Sequence, residues 1–144
     1  MLTAPEIALV RLSFARALPS RDMVADLFYD RLFEVAPAVR ALFPPDLREQ
    51  KRKLMTMIAT AVGTLNDLQG LVPAIKELGA RHVTYGATAA HYEVVGQVLL
   101  WTLERVLRDD FTPDIRAAWT KVYGILAATM LAGAAEAAEL QAAE

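Results

Sequence analysis

Cysteine is absent from the 144 residues, and histidine occurs only twice. Without thiols the chain cannot form disulfides, iron–sulfur clusters, cysteine zinc sites, a thiolate nucleophile or a thioether link to a cofactor. The seven glycines form no phosphate-binding loop, so the sequence does not support nucleotide binding through such a loop. Most of the familiar enzyme motifs are therefore missing from the chain.

The chain also has almost no surplus of charge of either sign. Fifteen basic and 17 acidic residues leave a net charge of −2, so we expect neither nucleic acid nor anionic membrane as a partner. The longest uncharged run, residues 122–135, is 14 residues long. A membrane-spanning helix needs about 20 apolar residues. Because residues 1–10 contain no basic cluster, they do not resemble a secretory signal, and we expect a cytoplasmic protein.

The residues that are abundant favour a helical globular domain. Apolar residues make up 55% of the chain and charged residues 22%, which is a globular composition. Alanine occurs 26 times and no stretch shows sustained strand-like alternation, so we predict an all-α fold. The length fits one domain over residues 1–144. Its helical core is predicted over about residues 3–133, followed by an alanine-rich tail that frays.

Proline, glycine and capping residues divide the chain into about seven helices of unequal length. Thr3 and Glu6 predict a capping box at the first helix, and Thr112 is predicted to cap the last. Ser20 is predicted to cap the second helix, and Gly70 to separate the fourth from a short fifth. The helices between the second and the last are predicted over about residues 37–43, 47–68, 72–82 and 89–108. Such a set does not match a regular four-helix bundle.

The two histidines are the most informative polar residues. His82 ends the short helix, and the Leu78 carbonyl four residues earlier could accept a hydrogen bond from its ring. Gln50 and Leu54 on the preceding helix could face His82 across a flat slot. For His91 we adopt the common interpretation, a surface residue or a core residue with its hydrogen bonds satisfied. Any one of the slot residues is, taken singly, more often a core or surface residue than a functional one.

Taken in order, these residues and their neighbours resemble a known family. The sequence from residue 3 to about residue 133 is similar to the globins, specifically to bacterial single-domain globins and the haem domain of flavohaemoglobins. The ordered residues that carry the resemblance are Tyr29, Phe43, Gln50, Leu54, His82 and Tyr92. The supporting strings are residues 28–33, 52–55, 81–82, 91–92, 95–96 and 118–124. The resemblance implies a globin fold of seven to eight helices around non-covalent haem b.

The resemblance also implies a role for each matched residue. His82 is implied as the proximal iron ligand, and Tyr29 and Gln50 as the distal polar pair. The other implied haem contacts are Phe43 on the haem face, Leu54 over the iron, Lys53 at a propionate and Tyr92 on the proximal side.

Several functions follow from this resemblance. The first is a gas-binding protein without enzymatic activity that takes dioxygen, nitric oxide or carbon monoxide, for oxygen storage, transport or scavenging. The second is a nitric oxide dioxygenase, which would need an external reductase because these 144 residues contain no flavin or nicotinamide domain. The glutamate that flavohaemoglobins place on the last helix falls here on Ala134, with Glu136 on a different face. A gas sensor would need a signalling domain, and a helical interaction module without haem would be colourless.

Overall fold

The regular secondary structure is all helical over residues 2–143, the part that the computed structural model describes. Six α-helices form there, joined by turns and by four short 3₁₀ segments. The α-helices are α1 (Ala4–Ala17), α2 (Arg21–Val35), α3 (Arg48–Gly63), α4 (Leu68–Thr84), α5 (Ala89–Leu107) and α6 (Pro113–Ala143). The 3₁₀ segments are Leu18–Ser20, Pro37–Leu42, Leu65–Asp67 and Arg108–Asp110. The all-α prediction is confirmed.

The helix starts show which capping signals were correct. The Thr3 hydroxyl accepts from the Glu6 amide, while the Glu6 carboxylate accepts from the Thr3 amide at 2.8 Å. The Thr112 hydroxyl accepts from the Ile115 amide, as predicted for the start of α6. Ser20 makes no side-chain capping bond, because it lies inside a 3₁₀ turn that runs directly into α2. That prediction was wrong.

Gly70 does not separate two helices. The break between α3 and α4 falls at Thr64 and the 3₁₀ segment Leu65–Asp67, and Gly70 lies in the first turn of α4. A Cβ added at Gly70 would lie 2.9 Å from an Asp67 carboxylate oxygen. The glycine therefore leaves room for a negative charge at the helix N-terminus, where that charge is favourable.

The last helix is longer than the sequence predicted. α6 continues to Ala143 instead of ending near Gly133. Gly133 is buried against the backbone of α4, so this glycine serves helix packing rather than helix termination.

The core lies where α1, α2, α5 and α6 meet, and α4 packs along α6. Trp119 of α6 is buried, and its indole N–H donates to the Ser13 hydroxyl of α1 at 2.8 Å. Ser13 in turn donates to backbone carbonyls of its own helix, so the buried polar atoms of this pair are satisfied. Within residues 2–143 no helix is both long and apolar enough to cross a membrane.

The capping box at α1 predicts a pH-dependent contribution to stability. Hydrogen bonds from the Thr3 amide, the Lys121 ammonium and the Thr3 hydroxyl lower the pKa of Glu6 from 4.5 to about 2. A carboxyl whose pKa falls on folding stabilises the protein above its unfolded pKa, and this contribution is lost as the pH falls through the folded pKa. We expect Glu6→Gln to lower the free energy of unfolding at neutral pH, with a deficit that shrinks as the pH falls from about 5 to about 2.

Urea unfolding of both proteins across that pH range measures the deficit. Glu93→Gln is the matched control, because Glu93 is exposed and makes no hydrogen bond or ion pair with the residues described. A Glu6→Gln deficit that is independent of pH would contradict the assignment.

Candidate functional site

A cavity of about 460 Å³ opens between α3, α4, α5 and α6. Leu54 from α3, His82 from α4 and Tyr92 from α5 all line it, together with mostly aliphatic side chains. A largely apolar cavity with a few polar groups is the usual form of a cofactor or small-molecule site. The structure thus brings three of the predicted site residues, Leu54, His82 and Tyr92, together around one cavity.

His82 is held in a defined orientation. Its Nδ1 lies 2.8 Å from the Leu78 carbonyl oxygen, which is the hydrogen bond that the sequence predicted. With the proton on Nδ1 donated to that carbonyl, Nε2 carries the free lone pair of a neutral imidazole. The ring also packs against two tyrosines, with centroid distances of 5.5 Å to Tyr85 and 6.4 Å to Tyr92. His82 is therefore oriented as a single metal ligand would need to be.

Tyr92 carries a hydroxyl without a partner. This oxygen is buried and makes no hydrogen bond with any described residue. Burial raises the pKa of Tyr92, so the phenol stays neutral and can donate. An unsatisfied donor on the cavity wall beside His82 fits a bound group that brings its own polar atoms.

Tyr29 and Gln50 form a second polar group. The Gln50 amide Nε2 donates to the Tyr29 hydroxyl oxygen at 3.0 Å. Tyr29 is only 2% exposed, and burial raises its pKa, an effect that the Gln50 hydrogen bond partly offsets. Because Gln50 occupies a lone pair of the hydroxyl, the O–H proton of Tyr29 is free to donate elsewhere.

The remaining predicted residues are distributed unevenly. Phe43 packs edge-on against Tyr29, with ring centroids 5.6 Å apart. Tyr29, Gln50 and Phe43 are outside the lining of the cavity, and Phe28 connects the two groups because it lines the cavity and packs against Tyr29 at 5.0 Å. Lys53 is exposed, outside the lining, and makes no hydrogen bond or ion pair within residues 2–143.

The sequence analysis interpreted His91 as a surface or satisfied core residue and did not place it at the cavity. It lines the cavity, and its Nδ1 accepts from the Thr88 amide at 3.0 Å, capping α5. The three-residue spacing between Thr88 and His91 at a helix start is the signal that could have identified this cap. Arg81 also lines the cavity, and nothing in the sequence besides its position next to His82 indicated this.

Glu136 does not reach Tyr92. Its carboxylate lies 2.8 Å from the Lys76 ammonium, and the side chain is 56% exposed. The expectation that Glu136 lies on a different face of the last helix agrees with this ion pair.

The chain belongs to the globin family, whose model matches residues 26–130. It is 30% identical to Neuroglobin-1 of Oncorhynchus mykiss over 152 aligned positions, covering 96% of both chains. It is 32% identical over 109 residues to a flavohemoprotein of Bacillus subtilis, which covers 74% of this chain. The chain spans only 27% of that flavohemoprotein's length.

Comparison of the fold with solved structures gives the same family. The fold matches an engineered carbene transferase, built on a candidate nitric oxide dioxygenase of Rhodothermus marinus, with a TM-score of 0.86. The two chains are 25% identical, and the match covers 99% of each. Membership of the globin family implies that the chain binds haem and, through it, gaseous ligands. The oriented imidazole, the unsatisfied Tyr92 hydroxyl and the apolar cavity fit that group.

Proposed function

We propose that this globin binds haem b through His82 and takes up dioxygen reversibly with high affinity. The observation that carries the proposal is the part-buried hydrogen bond from Gln50 to the buried Tyr29, which leaves the Tyr29 hydroxyl proton available for a ligand. Other diatomic gases, nitric oxide and carbon monoxide, would enter the same pocket. Oxygen storage, transport or scavenging would all use this property.

Residues from several segments around the cavity would hold the cofactor. His82 Nε2 would bind the iron, while Leu54, Phe43 and Tyr92 would contact the porphyrin and Lys53 would pair with a propionate. The chain has no cysteine for a thioether link, so the haem would be held without a covalent bond to the porphyrin. When bound, the haem would supply an iron that can take a gaseous ligand.

The distal pair would favour dioxygen over carbon monoxide. The Tyr29 hydroxyl would donate a partly charge-assisted hydrogen bond to a ligand that carries negative charge, as dioxygen would in this site. Such a bond contributes about 1.5–3 kcal/mol, or roughly 10- to 150-fold in affinity. Carbon monoxide gains little from the same donor. The aliphatic side chains around the pocket would exclude water from the haem.

A nitric oxide dioxygenase supported by an external reductase is the second candidate. Similarity to the flavohemoprotein and to the engineered carbene transferase favours it. Two contacts weigh against it: the Tyr92 hydroxyl has no carboxylate partner within residues 2–143, and Glu136 is paired with Lys76. Without a carboxylate bound to Tyr92, His82 would donate less electron density to the iron, and rapid turnover would be less favoured.

The experiment that separates the two functions measures nitric oxide consumption by the dioxygen-loaded protein. We expect one nitrate per haem and no sustained turnover when a flavin reductase and a reduced nicotinamide nucleotide are added. Sustained consumption over many equivalents would replace the proposal with the dioxygenase. A purified protein without a Soret band, even after haem is supplied, would exclude both.

A further inference from the structure

Two glycines let α4 and α6 touch through their backbones. A Cβ added at Gly79 of α4 would lie 1.9 Å from the Met130 carbonyl oxygen of α6. A Cβ added at Gly133 of α6 would lie 2.1 Å from the Lys76 carbonyl oxygen of α4. Both obstacles are backbone atoms, which no side-chain rotation can move away. The two helices therefore meet at two reciprocal points, each three residues from the other along both helices.

This contact lies one turn from the imidazole. His82 follows Gly79 by three residues, and the carbonyl that accepts from its Nδ1 belongs to Leu78, the residue before Gly79. On the other helix, Met130 lines the same cavity as His82. The Lys76–Glu136 ion pair at 2.8 Å holds the two helices at the far side of the contact.

We propose that Gly79 and Gly133 are positioning residues that set where the His82 imidazole lies in the cavity. The proposal rests on the proposed function, in which His82 binds the haem iron. Ordinary van der Waals contact begins near 3.4 Å, so an alanine at Gly79 would move α4 from α6 by about 1.5 Å. Metal–ligand distances tolerate only about 0.2 Å. The displacement must therefore tilt, strain or weaken the iron–imidazole bond.

The test compares three glycine-to-alanine variants of the haem-loaded protein. Gly79→Ala and Gly133→Ala are expected to lose haem to excess apomyoglobin at least about tenfold faster than the unmodified protein, equivalent to about 1.4 kcal/mol in a barrier. The iron–imidazole stretching band of the ferrous protein is expected to shift in both. Gly124→Ala on α6 is the matched control, because a Cβ there meets nothing within 4 Å. It should change neither readout.

A second background distinguishes positioning from general destabilisation. In His82→Gly supplied with free imidazole, the iron ligand is no longer attached to α4, so Gly79→Ala should have little effect on haem loss. Three results would overturn the proposal. The first is an equal effect of Gly79→Ala on haem loss in both backgrounds. The others are unchanged haem loss and stretching band in Gly79→Ala and Gly133→Ala, or loss of helical structure in both of these variants. The proposed function fails separately, if the unmodified protein itself takes up no haem.

Discussion

Tyr29→Phe is expected to raise the dioxygen dissociation rate constant roughly 10- to 150-fold, the value of one charge-assisted hydrogen bond. The substitution removes only the hydroxyl. The ring that packs against Phe28 and Phe43 is kept, so the surrounding core should not change. Burial raises the pKa of Tyr29, which keeps the phenol protonated and able to donate across the neutral pH range.

Stopped-flow displacement of dioxygen by carbon monoxide measures this rate constant. Carbon monoxide dissociation should change little, because that ligand gains little from a hydrogen-bond donor. Tyr85→Phe is the control, since Tyr85 is 56% exposed and contacts His82 through its ring rather than through its hydroxyl. An unchanged dioxygen rate constant in Tyr29→Phe would remove this residue from the distal role.

Local signals in the sequence predicted the helix starts well. The Thr3–Glu6 box and the Thr112 cap depend on residues three positions apart, and both form. The hydrogen bond from His82 to the Leu78 carbonyl also lies within one helix turn. Such contacts depend on helix geometry alone, which is why the sequence is sufficient for them.

Glycine was the least predictable residue. The sequence predicted a break between two helices at Gly70 and a helix end near Gly133, yet both glycines lie inside helices. A glycine that ends a helix and a glycine that admits a neighbouring backbone have the same sequence appearance. Only the partner, distant in the chain, tells them apart, as Lys76 does for Gly133.

The site required contacts between distant segments. Gln50 and Tyr29 are 21 residues apart in the sequence. No periodicity pairs them, and the sequence analysis paired them only through the resemblance to globins. The resemblance assigned no role to His91, whose contribution to the cavity depends on how α5 starts against α4. That junction turns at Gly86, which adopts a positive φ of 89°.

The second large effect is expected at His82. Replacing it with glycine removes the imidazole that Leu78 orients and leaves space for a free ligand. Among the residues lining the cavity, His91 is the other imidazole, but its Nδ1 is occupied by the Thr88 amide. His91→Gly is therefore the matched control and should keep the pigment, although α5 loses a cap.

The absorption spectrum of His82→Gly, recorded with and without free imidazole, is the decisive measurement. We expect the variant to purify colourless or with a shifted Soret band, and the parental spectrum to return when imidazole is added. A variant that keeps its pigment with absorbance identical to the parent would show that the iron is bound elsewhere.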